Sequence, residues 1–135
     1  MVTLFLLSEL LLTPLCGSSV GVICSVIAQD QVNLDKALVR WGNAATFDPS
    51  KKPLVGTVRS TEVYLKIPAY KRIQEEKVPP GSARYNQLMR EATAVYRRVL
   101  EQVGRSRKAA LIVEQGGISG YAGVADFTGA IIAAL

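Results

Sequence analysis

Residues 82–103, SARYNQLMREATAVYRRVLEQV, constrain the fold most, because their apolar residues recur at helical spacing over about six turns. Tyr85, Leu88, Ala92, Val95 and Val99 are separated by 3, 4, 3 and 4 residues, the a/d spacing of a coiled-coil helix. Met89, Tyr96 and Val103 lie one position past the d-type residues and widen the stripe, as suits a helix packed on more than one neighbour. Ser82 follows the stop signal Pro79-Pro80-Gly81 and is a good N-cap, and Gly104 is placed to end the helix. Arg84, Arg98 and Arg105 flank the stripe, with Arg90 and Arg97 further round. Taken alone, the pattern describes a core helix with a solvated basic face.

Charge extends that pattern to the whole chain. There are 16 Lys and Arg against 11 Asp and Glu, and no His. Without histidine, imidazole-ligated metal sites and histidine acid–base catalysis are excluded. A length of 135 residues with 49% apolar content fits one domain with a modest core. The only cysteines, Cys16 and Cys24, lie in the apolar leader, so they say nothing about redox compartment.

The leader runs from Met1 to Ala28 and gives way to polar Gln29-Asp30-Gln31. Val26-Ile27-Ala28 fits a signal-peptidase site, although no Lys or Arg precedes the apolar run and Glu9 interrupts it. The expectation is a signal peptide over residues 1–28, which gives a periplasmic or secreted protein. The alternative is a membrane anchor over the same residues, with Pro14 and Gly17-Ser18-Ser19 counting against a spanning helix. Cleavage would remove Glu9 and no basic residue, raising the net charge from +5 to +6. Such a balance favours acidic polypeptides or an anionic membrane surface. Nucleic acid is not an expected partner, because of the secretory leader.

Residues 29–53 read as an N-terminal arm. Asp30 to Trp41 has the spacing of a short helix capped by Asn33, with Leu34, Leu38 and Trp41 on one face, and Trp41 reads as an anchor against the body. Residues 42–53 read as a loop. Leu54 to Ser60 is a strand candidate, and Glu62 to Leu65 a helical turn. Pro68 opens a separate short helix that Val78-Pro79-Pro80-Gly81 ends. After the long helix, Ala110 to Val113 is a wholly apolar strand, and Ile118 to Tyr121 is placed to return beside it as a hairpin. Asp126 or Thr128 caps a final helix. The expected fold class is α+β: a small antiparallel sheet with an inserted helical hairpin and a C-terminal helix.

Catalytic signals are weak throughout. The G-x-x-G-x-x-G of Gly117 to Gly123 lacks a following Lys-Ser/Thr and reads as a glycine-rich hairpin, not a phosphate loop. Glu75 and Glu76 beside Lys71 and Arg72 read as surface ion pairs. Ser60 and Ser119 have no histidine base. No catalytic residue, metal-ligand cluster or cofactor site is expected, and an enzyme is not expected.

Two blocks resemble the Skp/OmpH-like periplasmic chaperones of outer-membrane proteins. Val58 to Gln74, VRSTEVYLKIPAYKRIQ, is similar to that family's strand and Pro-Ala-Tyr-Lys turn into a helix. Ala110 to Leu135 resembles its closing strand, glycine turn, short strand and Asp-x-Thr helix ending Ala-Leu. The resemblance implies a homotrimer in which three sheets form a body and coiled-coil hairpins project as tentacles. It implies ATP-independent binding of unfolded outer-membrane or other secreted polypeptides, with basic surface meeting anionic lipid. It places the domain at 54–135 with its helical insertion at 68–108. That insertion is shorter than the family's hairpin, and Pro79-Pro80 makes its arms unequal. The shortening favours an alternative, a structural or scaffolding subunit of a larger, membrane-associated assembly. The expected partner-binding residues are Arg84, Arg90, Arg97, Arg98 and Arg105 for acidic or lipid contacts, with Met89, Tyr96 and Leu100 as apolar contacts that could equally be core.

Overall fold

Strand β4 (Leu111–Glu114) is the centre on which the rest is laid, with Leu111, Ile112 and Val113 all fully buried. The computed structural model describes residues 31–135, so the leader reading for residues 1–28 lies outside the described residues. Before β4 come β1 (Asn33–Leu34), β2 (Val39–Gly42), β3 (Val55–Val58), α1 (Ser60–Tyr64), α2 (Pro68–Glu75) and α3 (Ala83–Ser106). After it come β5 (Ile118–Ser119), β6 (Val124–Asp126) and α4 (Thr128–Ala133). The class is α+β, with a four-stranded sheet in the order β2-β4-β3-β6 and a separate β1-β5 pair.

The expected antiparallel sheet is corrected. Strand β3 pairs parallel with β4 on one side and with β6 on the other, and only β2 runs antiparallel to β4. Parallel neighbours need a long crossover, which α1, α2 and α3 supply between β3 and β4. The sheet is covered on both faces, which is why β4 is apolar without alternation. Val58 and Ile112 face the helices in the main core, while Val55, Leu111 and Val113 face Leu34, Val39, Phe47, Ile118 and Tyr121.

The expected hairpin of residues 110–121 does not form either. Gly116 turns the chain at φ 88°, but β5 pairs with β1, because β2 and β3 already occupy both edges of β4. The arm is likewise no helix. Asp35, rather than Asn33, caps a single 3-10 turn at Lys36–Leu38 through the Ala37 amide at 2.9 Å, and the chain then enters β2.

Helix α3 begins as its sequence indicates: the Tyr85 amide donates to the Ser82 hydroxyl at 3.2 Å. Its buried residues are Leu88, Ala92, Tyr96, Val99, Leu100, Val103 and Gly104, whereas Tyr85 and Val95 are only half-buried. The buried line has therefore drifted from the strict a/d positions, as a straight helix of 3.6 residues per turn must. Gly104 does not end the helix, which runs on to Ser106. It is instead the seat of Trp41, since a Cβ there would lie 2.7 Å from two atoms of the indole ring. The anchoring role read for Trp41 thus has its partner. Helix α2 starts at Pro68, which needs no N–H at a first helical position, and lies against α3.

Candidate functional site

The parallel register of β3 on β4 sets Val58 opposite Glu114, which carries the next turn of chain, Ser60 at the head of α1, to the Glu114 carboxylate. The Ser60 amide donates to Glu114 Oε1 at 2.9 Å, and the Ser60 hydroxyl donates to Oε2. With its proton so committed, the Ser60 oxygen accepts from the Tyr96 phenol of α3. From β2, Arg40 Nε donates to Glu114 Oε2 at 3.1 Å. Register along β2 slips between Val39 and Trp41, a bulge centred on Arg40, and bulges re-aim side chains in this way. Four elements, α1, α3, β2 and β4, are joined at one carboxylate.

Burial pushes the Glu114 carboxyl up, but the Ser60 hydroxyl and amide and the Arg40 guanidinium outweigh it and hold it below the usual carboxylate range. Tyr96 moves the other way: burial raises its phenol, partly offset by the Ser60 hydrogen bond and reinforced by the Glu114 charge. A serine beside a carboxylate that is itself oriented by an arginine has the outline of an activated nucleophile. A carboxylate held below its ordinary range is a weak general base, however, so this geometry suits a clasp better than a catalytic dyad.

Beside the clasp lies an open trough. Tyr64 lines part of it, 4.8 Å from the Tyr96 ring and 5.7 Å edge-on to Tyr70. Its hydroxyl shares a 3.3 Å hydrogen bond with Thr93. Three neighbouring lobes share walls here. The largest, about 620 Å³, follows α3 past Asn86, Met89, Arg90, Thr93, Ala94 and Arg97. A second, about 230 Å³, lies among Ser60, Thr61, Tyr64, Tyr70 and Met89. A third, about 250 Å³, reaches Arg40, Tyr96 and Arg97. Met89 is shared by the first two lobes, and Thr93 and Arg97 by the first and third.

The eight residues singled out in the sequence separate into distinct settings. Arg84 bonds Glu76 of the α2 end at 2.9 Å through Nε, and Arg105 pairs with Glu101 one turn before it. Arg98 is exposed. Only Arg90 and Arg97 come together with Met89 in the trough, and among the described residues neither pairs with a carboxylate. Tyr96 belongs to the clasp, and Leu100, 1% exposed, lies in the core. Sequence reasoning missed Arg40, Tyr64, Tyr70, Thr93 and Glu114. Thr93 carried one usable signal: it lies between Arg90 and Arg97, three and four residues from them, on one helix face. Among the described residues no group of three or more His, Cys, Asp or Glu side chains is placed to hold a metal ion, and no helix is long and apolar enough to cross a membrane. No protein-family model, curated protein or solved structure matches this chain.

Proposed function

We propose that this chain is a Skp/OmpH-like, ATP-independent chaperone-like protein that binds unfolded outer-membrane or other secreted polypeptides outside the cytoplasm. The observation that carries this reading is the trough, where Arg90 and Arg97 line the same groove as the apolar Met89 side chain. An unfolded polypeptide offers apolar side chains and carboxylates together, and a groove with both complements meets it without covalent chemistry. The reading takes the working form to be a homotrimer and adds an anionic membrane surface as a second contact for the exposed arginines. Its test is whether the full chain keeps an unfolded outer-membrane barrel protein soluble without ATP, followed by light scattering. Suppressed aggregation that Arg90→Glu with Arg97→Glu abolishes is the expected result. Aggregation unaffected by the wild-type chain would refute it.

The second reading, a scaffolding subunit of a larger, membrane-associated assembly, draws on the short α2, which lies against α3 and leaves no long free arm. Its mark would be recovery of the chain from native membranes in a fixed complex with no unfolded polypeptide bound.

A further inference from the structure

We propose that the trough selects a two-part polypeptide segment: an aromatic side chain next to one carboxylate, with a second carboxylate about three residues further on. The inference rests on the polypeptide-binding reading and specifies what the same site would recognise. Its aromatic half is the lobe among Ser60, Thr61, Tyr64, Tyr70 and Met89. Two tyrosine rings there already meet edge-on, and a methionine sulfur adds a soft, adaptable wall, both favourable to an incoming ring.

Its acidic half is set by spacing on α3. Arg90 and Arg97 lie seven residues apart on one face, about 10 Å along the axis at about 1.5 Å per residue. A polypeptide in the polyproline II conformation advances about 3.1 Å per residue with about three residues per turn, so carboxylates three residues apart share a face and reach both guanidiniums. Both arginines are exposed, and among the described residues both lack a carboxylate, so each keeps its fork of donors for bidentate bonding. Met89 lines both lobes, so the two halves adjoin. A flat anionic surface would use the arginines and leave the tyrosine lobe empty; a peptide uses both.

Fluorescence anisotropy of the full chain tests this, with a labelled peptide bearing one aromatic residue and two aspartates three positions apart. Replacing both aspartates by asparagine, or the aromatic residue by alanine, is expected to weaken binding about tenfold or more. Arg90→Gln with Arg97→Gln should cost about as much as the asparagine peptide, and the two changes together little more than either. Thr61→Trp, at an exposed position, should fill the aromatic lobe and remove the preference for the aromatic peptide. Equal affinity for all the peptides would overturn the proposal. So would binding to phosphatidylglycerol vesicles, lost in the double arginine variant, by a chain that ignores the peptide. The unfolded barrel protein is titrated in parallel: if it is held but the peptides neither bind nor compete, the selectivity fails and the chaperone reading stands. If it is not held, the chaperone reading itself fails.

Discussion

Two polar regions meet at the Tyr64–Tyr96 pair and are built to opposite ends. In the clasp, the Glu114 carboxylate is matched by the Ser60 amide and hydroxyl and the Arg40 guanidinium, and the Ser60 oxygen accepts a hydrogen bond from the Tyr96 phenol. In the trough, Arg90 and Arg97 present donors that no carboxylate among the described residues answers. Half-buried polar groups lose stability when left unmatched, so the clasp commits its bonding capacity to holding α1, α3, β2 and β4 together. Exposed guanidiniums meet no such requirement, because water solvates them. Satisfied polarity holds the fold, and on the proposed reading the unpaired donors are the ones that meet a polypeptide.

The difference is broken most severely at the clasp. Glu114→Ala removes the acceptor of the half-buried Ser60 amide and hydroxyl and leaves the Arg40 charge to water, and should cost about 1.5–2 kcal/mol, a fall of about 5–10 °C in Tm by calorimetry. Next comes Ser60→Ala, which removes two hydrogen bonds from a half-buried hydroxyl and should cost about 1 kcal/mol in urea titration. The clasp also predicts a pH response. Because the folded state holds Glu114 below its ordinary value, its contribution is complete above the usual carboxylate range and is lost as pH falls through that range towards the folded value. Glu114→Gln should remove that part of the acid limb of a stability–pH curve.

The trough sharpens the contrast from the other side. Arg90→Gln with Arg97→Gln should move stability by no more than about 0.5 kcal/mol, while weakening polypeptide binding about tenfold. Smallest of all, Arg84→Gln breaks a bond between half-exposed or more exposed side chains and should change stability by less than about 0.5 kcal/mol.

Local features were legible where short-range chemistry decides them. Ser82 caps α3 and Pro68 opens α2, each from a signal within a few residues, whereas Trp41 finds its seat on Gly104, 63 positions later. Pairing was less so. The wholly apolar Leu111-Ile112-Val113 already carried the mark of a parallel strand buried on both faces, yet glycines 116 and 117 gave a stronger local hint of a hairpin. Competition for the edges of β4 decided the matter, and that competition involves the arm some 70 residues earlier, with Val39 opposite Val113. Within the site, the arginine-rich face was readable from spacing, and so was the pairing of Arg105 with Glu101 one turn before it, but the neutralisation of Arg84 by Glu76 depends on how the end of α2 meets α3. Glu114 and Arg40 were invisible as a pair, being separated by 74 positions and joined through a bulge.

The most direct test of the central claim measures two quantities on one protein: affinity for an unfolded barrel polypeptide and thermal stability, for the Arg90→Gln and Arg97→Gln double variant against wild type. The expected result is binding about tenfold weaker with the melting temperature within about 3 °C of wild type. Unchanged affinity, or a loss of binding that only follows a loss of stability, would contradict the division between a clasp that folds the protein and a trough that binds.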